Sequence, residues 1–180
     1  MSKFEEKQLE REEIFDGAVL HVVKDKRLLP DGNTSYREFC LHKGAVAVIP
    51  ITDENEVILV RQFRYAHHRE FLEIPAGKFD FIGEDPLEAA KRELSEETGA
   101  IAKNFINLGV LDTTPALIDE KIHMFLAEGL TFGESHPDED EFLSVERIPL
   151  GKLVDMVMSG EIRDAKTQIA ILKAAKIRGL

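Results

Sequence analysis

One stretch constrains this chain more than any other: Gly77 to Ala100, GKFDFIGEDPLEAAKRELSEETGA, a glycine-led loop running into an acidic helix. The helix signals are local. Asp85 is placed to cap the first backbone N–H groups, Pro86 suits the first helical position, and Glu88 falls at capping-box spacing. Gly99 stops the helix, and no glycine or proline interrupts it. At about 100° per residue, Leu87, Ala90 and Leu94 share the face to be buried. Glu93 and Glu97 stack on a stripe beside that face, and Arg92 and Glu96 lie further round. Like charges at that spacing repel by about 0.2–0.5 kcal/mol in an isolated helix. A hard divalent cation turns that repulsion into coordination. For any isolated glutamate pair, the alternative is a solvated helix face.

The chain has 180 residues, which predicts one compact domain with room for a small N-terminal appendage. Its formal net charge of −11 disfavours a nucleic-acid surface. An anionic substrate would need something positive to bridge it to such a protein, and metal ions on Glu93 and Glu97 meet that need. Cys40 is the single cysteine, so no intrachain disulfide is possible, and a reducing cytoplasm fits. No apolar run approaches the roughly 18 residues of a membrane span, and the start, MSKFEEKQLE, carries no apolar signal region.

In chain order, residues 1–13 are charged and predict a frayed or loosely helical start. Gly17–Leu28, the Pro30-Asp31-Gly32 turn and Ser35–His42 read as an antiparallel β-hairpin or meander, which buries too little to stand alone. Gly44–Thr52 (GAVAVIPIT) predicts a strand covered on both faces. Val57–Phe63 is the next strand, Tyr65–Glu70 a loop holding His67 and His68, and Phe71–Pro75 a lead into the glycine loop. Adjacent histidines point apart and read as surface. Phe105–Thr113 and Lys121–Leu126 are further strands. An acidic run, Glu134–Glu141, precedes a strand over Phe142–Ile148, and helices follow at Leu150–Met158 and Arg163–Lys176. This order predicts an α/β protein with a mixed sheet between helices.

The phrase Arg92-Glu93-Leu94-Ser95-Glu96-Glu97-Thr98-Gly99-Ala100, with Glu84 eight residues before Arg92 and Gly77 upstream, resembles the Nudix box. Two positions depart from the family pattern. Six residues separate Gly77 from Glu84 where the family has five, and Ala100 is small for an aliphatic slot. The resemblance covers roughly Gly44 to Leu180. It implies the Nudix α/β/α sandwich over 44–180, with 1–43 as a β-strand extension for dimerisation and substrate binding.

The family hydrolyses a nucleoside diphosphate linked to a second moiety, with Mg²⁺ or Mn²⁺. By matching positions, the resemblance implies Glu93 and Glu97 as principal metal ligands. It implies Glu96 as a further ligand or a water-mediated contact, Glu84 as a group near the metals or holding the loop, and the Ala76 carbonyl as a backbone ligand. It implies that Arg92 positions Glu96 and Glu84; a surface pair with Glu88 is the alternative. A base for the attacking water is expected in the acidic run, Glu139 first and Glu141 second. Pro115, sixteen residues after Gly99, with Glu120 beyond it, resembles the ADP-ribose pyrophosphatase branch. So does RQFR, which makes Arg64 the candidate for the diphosphate and Arg61 a weaker one, for either phosphate or the terminal sugar. In that branch the N-terminal strands build a homodimer and an adenine site, for which Phe15 and Tyr36 are the aromatic candidates; both could equally be core. The expected reaction is ADP-ribose to AMP and ribose 5-phosphate. GDP-mannose, a dinucleoside polyphosphate or NADH as substrate, and a non-catalytic nucleotide-sugar sensor, are the alternatives.

Overall fold

In a computed structural model of the chain, Ala45–Pro50 is a strand with every residue buried. The structure describes residues 2–136 and 142–180. In order the elements are β1 (Lys7–Asp16), β2 (His21–Leu28), β3 (Thr34–Leu41), β4 (Ala45–Pro50), β5 (Glu56–Arg64), β6 (Arg69–Glu73), β7 (Ala76–Lys78), α1 (Pro86–Thr98), β8 (Ala100–Asp112), β9 (Lys121–Phe132), β10 (Leu143–Pro149), α2 (Leu150–Met158) and α3 (Ala165–Arg178). The chain divides into two compact units, Met1–Lys43 with Asp112–Lys121, and Gly44–Leu111 with Ile122–Leu180.

The first unit is an antiparallel sheet in the order β1-β2-β3. Its first strand corrects the expectation of a frayed or helical start. β1 carries no buried residue and therefore no apolar stripe to read. Charge across the ladder holds it: Glu12 faces Lys24 and Arg11 faces Asp25. The Arg11 guanidinium donates to both oxygens of the buried Asp25, at 2.7 and 2.8 Å. That bond, opposed by burial, keeps the Asp25 carboxyl below its ordinary range. Segment 112–121 joins this unit through a parallel bridge between Cys40 and Ile118.

The second unit holds the mixed sheet β7-β4-β9-β8, in which β4 runs parallel to β9 and antiparallel to β7. Alternation along β4 decides the layers. Ala45, Ala47 and Ile49 join a core with residues of α2 and α3, such as Leu153, Ala170 and Ile171. Val46 and Val48 join a second core with Ala89, Ala90 and Leu94 of α1. The sheet is thus covered on both faces by helices, the expected α/β/α sandwich. An antiparallel sheet, β10-β5-β6, completes the unit. Three boundaries differ clearly from the sequence reading. β6 starts at Arg69, inside the expected loop, β8 starts at Ala100, directly after the helix stop, and β9 runs on to Phe132 where the sequence reading ends it at Leu126. Ladder pairing with β5 explains the first, since Arg69 pairs with Arg64 across a short 3-10 turn.

α1 has the predicted ends. The Asp85 carboxylate accepts from the N–H groups of Leu87 at 2.9 Å and Glu88 at 3.1 Å, Pro86 opens the helix, and Gly99 closes it at φ 67°. Glu88 does not complete a capping box but pairs with Lys91 at 2.7 Å. Full burial of Leu94 anchors the helix and contributes about 1.5–3 kcal/mol.

Candidate active site

Anchoring α1 through Ala90 and Leu94 forces the neighbouring stripe inward. Glu93 is 8% exposed and Glu97 only 5%. β7 passes directly over Glu93. A Cβ at Gly77 would lie 2.1 Å from the Glu93 Cδ, so only glycine lets the strand approach this carboxylate. Ala76, beside Gly77 in β7, pairs with Ala47 of β4.

Arg92 is the shared cation of the cluster. Its Nη1 donates to Glu93 at 2.8 Å and Glu96 at 3.0 Å, and its Nη2 donates to the Lys78 carbonyl at 3.2 Å. Its Nε lies 3.4 Å from Asp80 and 3.5 Å from Glu84. Burial alone would lower the Arg92 pKa; the charges of Glu93, Asp80 and Glu96 hold it above its ordinary value. Glu84 also accepts the Asp80 N–H at 2.7 Å, which closes the longer glycine loop without displacing Glu84 from Arg92.

The chain leaving β9 is tied to the end of α1. Gly133 N–H donates to the Gly99 carbonyl at 2.8 Å, and His136 N–H to the Glu96 carbonyl at 2.9 Å. A Cβ at Gly99 would lie 2.4 Å from the Gly133 oxygen, so this glycine serves both the helix stop and the docking. Glu139 and Glu141 lie outside the described residues.

Arg64, at the end of β5, grips Glu73 of β6 with two parallel bonds of 2.8 Å. Lys166, in the first turn of α3, reaches the same carboxylate and also bonds Asp164 at 3.0 Å. Burial would push the Glu73 carboxyl up; the bonds and charges of Arg64 and Lys166 overturn that and bring it down to about 2. The Glu73 bond, opposed by burial, keeps Arg64 above its ordinary value, with Glu97 contributing charge. Arg61 is separate. It bonds Glu146 across the β5–β10 ladder at 2.5 Å.

In the first unit, Glu120 accepts from the Thr113 hydroxyl at 2.9 Å and stands 3.6 Å from the His42 ring. Pro115 is exposed in a turn closed by Leu117 N–H on the Thr114 carbonyl at 2.8 Å. Phe15 and Tyr36 are each 57% exposed, so neither is a core residue. The sequence reading missed Asp80, Glu73 and Lys166. Asp80 sat inside a loop read for its length alone. Glu73 sat in a segment read only as a connector.

Among the described residues, no three carboxylate, imidazole or thiol groups converge as a finished cation cage. The donors nevertheless fit a hard divalent metal. Glu93 and Glu97 are buried oxygen donors one helical turn apart, and one arginine is shared by Asp80, Glu84, Glu93 and Glu96. Added positive charge relieves that imbalance, and carboxylates are the ligands magnesium-like ions prefer.

Fold and acid-lined helix together define the class: the chain belongs to the Nudix family, the NUDIX domain matching residues 41–168, and is a Nudix pyrophosphohydrolase. It is similar to the ADP-ribose pyrophosphatase of Bacillus subtilis (strain 168), 44% identical over 173 residues that cover 95% of this chain and 93% of that one. It is also similar to the methanol dehydrogenase activator of Bacillus methanolicus, 42% identical over 170 residues, covering 93% and 91%. A crystal structure of an ADP compounds hydrolase superposes with a TM-score of 0.86 at 25% identity, covering 99% of this chain and 97% of that one. Nudix hydrolases generally need a divalent metal. Among the described residues, no helix is long and apolar enough to cross a membrane.

Proposed function

We propose that the protein hydrolyses the diphosphate bond of ADP-ribose, releasing AMP and ribose 5-phosphate, with Mg²⁺ as its metal and Mn²⁺ as a substitute. The observation that carries the reading is the bare Gly77 backbone over the buried Glu93, with Glu97 one turn further along the same helix. The 44% identity to an ADP-ribose pyrophosphatase over nearly the whole chain supports the substrate.

Glu93 and Glu97 would hold the metal, with Glu96, Glu84 and the Ala76 carbonyl as further donors. When bound, a divalent ion supplies charge neutralisation to the diphosphate and lowers the pKa of an attacking water. Arg92 keeps Glu93 and Glu96 in register through its bonds of 2.8 and 3.0 Å. Arg64 binds the diphosphate. Arg61, taken up by Glu146, is the weaker contact. Glu139, or failing that Glu141, takes the proton of the water, for which it must come within about 3 Å. The bond from His136 to Glu96 supports this, because it fixes the chain three residues before Glu139 at the acid end of α1.

The N-terminal strands, residues 1–43, serve a homodimer and an adenine site, with Phe15 and Tyr36 as platforms and Pro115 and Glu120 on the substrate segment. Their exposed rings and the absence of any buried residue in β1 support that assignment. A cytoplasmic location belongs to the same reading.

The test is a substrate panel with product identification. ADP-ribose, GDP-mannose, a diadenosine polyphosphate and NADH are incubated with the protein and Mg²⁺, and the phosphate esters are resolved by chromatography. AMP and ribose 5-phosphate, formed faster from ADP-ribose than products from the others, are expected. Faster turnover of GDP-mannose would reassign the substrate, and no turnover of any would return the chain to the sensor alternative.

A further inference from the structure

We infer that Glu73 and Lys166 are positioning residues that hold the Arg64 guanidinium in one orientation for a diphosphate. The inference rests on the proposed role of Arg64. Arg64, Glu73 and Lys166 together border a cavity of about 350 Å³.

The geometry is one-sided. Arg64 gives Nε and one Nη2 proton to Glu73, in the parallel fork that fixes the plane of a guanidinium. The remaining N–H groups, those of Nη1 above all, are directed away from that carboxylate and stay available to a second anion. Glu73 itself has no freedom to follow a moving arginine. Its side chain is 3% exposed, and its Oε2 is also bonded by Lys166, whose side chain is 12% exposed.

Lys166 is fixed in turn. Asp164 caps α3 on the Thr167 N–H at 2.9 Å and bonds Lys166 at 3.0 Å. The Thr167 hydroxyl accepts the Ile74 N–H at 3.0 Å, next to Glu73 in the chain. The N-terminal turn of α3 therefore clamps the end of β6, and the end of β6 orients the end of β5. A buried ion-pair network of this kind gains little stability over a packed apolar one. Its distinct product here is a single guanidinium orientation at a cavity wall. The Glu97 charge also acts on Arg64, so the oriented cation belongs to the same electrostatic neighbourhood as the acid helix.

The probe is inorganic pyrophosphate with Mg²⁺, titrated calorimetrically into the full chain. Arg64→Ala should weaken binding by about tenfold or more, the loss of a charge-assisted contact. Glu73→Gln should weaken it by nearly the same factor, and the double variant should be no weaker than Arg64→Ala alone. Lys166→Met should give a smaller loss, and Lys166→Arg should restore it, which a purely structural role would not require. Circular dichroism identifies variants that fold; if Glu73→Gln does not, the two Lys166 variants carry the test. The inference is overturned if Glu73→Gln binds like the wild type, if the Arg64 and Glu73 losses multiply, if Lys166→Met is silent, or if the wild type does not take up pyrophosphate. ADP-ribose turnover by the wild type is measured alongside. Coupled Arg64–Glu73 losses in a chain that leaves ADP-ribose intact retain the inference and reject that substrate.

Discussion

The Cα of Gly77 sits so close over the Glu93 carboxylate that a methyl group there would fall 2.1 Å from its Cδ. The strand and the acid side chain therefore occupy their positions only together. Gly77→Ala must displace Glu93, β7 or both. Misplacing a reacting group by about 1 Å can cost roughly 10²-fold in rate. Steady-state kinetics on ADP-ribose should register a loss of that order in kcat. Divalent-metal affinity, read by calorimetry, should fall with it. Retained turnover would mean that Glu93 is not a ligand.

Glu97→Gln separates chemistry from folding. The substitution keeps the shape of the side chain and removes one of two carboxylates spaced a turn apart, relieving repulsion of about 0.2–0.5 kcal/mol. Thermal stability without metal should hold or rise slightly. Turnover should drop by about 10²–10³, the effect of losing about 3–4 kcal/mol of transition-state stabilisation. Equal turnover in the variant and the wild type would remove Glu97 from the site.

What the sequence disclosed and what it withheld follow from the range of the interactions. α1 was legible because its cap, its first-turn proline, its apolar face and its stop are all written within fourteen or so neighbouring positions, as helix signals are. β4 was legible because an unbroken apolar run has few fates other than a strand covered on both faces. β1 was not, since its partners are charges on another strand: Arg11 and Asp25 pair across 14 positions. Lys166 and Glu73 are 93 positions apart, and no periodicity links them. The pairing of Glu93 and Glu97 could be read from helical spacing, and the roles of Glu96 and Glu84 came only with the family resemblance. The reason for Gly77 needed the backbone of β7 lying over Glu93.

Asp85→Ala should do the reverse of Glu97→Gln. Asp85 accepts two N–H groups at the start of α1, eight positions before Glu93 although next to Glu84 in the chain. Losing such a cap costs about 0.5–2 kcal/mol. Chemical denaturation should show a lower midpoint, while kcat below the transition stays within about twofold of the wild type, since that amount of destabilisation leaves a marginally stable domain folded. A large fall in kcat at full folding would mean that the cap also sets the acid geometry.

Glu73 ties stability to pH in a defined window. Its carboxyl is lowered from 4.5 to about 2 in the fold, because Arg64 and Lys166 outweigh the opposing effect of burial. A depressed carboxyl stabilises the folded state at pH values above its unfolded pKa. That contribution declines as pH falls below 4.5 and is gone once pH passes below about 2. Near neutral pH the shift is worth on the order of 3 kcal/mol. Glu73→Gln cannot titrate, so the unfolding free-energy difference between wild type and variant should be largest above pH 4.5 and shrink toward pH 2. Urea denaturation at a series of pH values measures this directly. A difference that stays flat through the window would mean that the carboxylate is not held by its two cations, and the orientation of Arg64 would then need another cause.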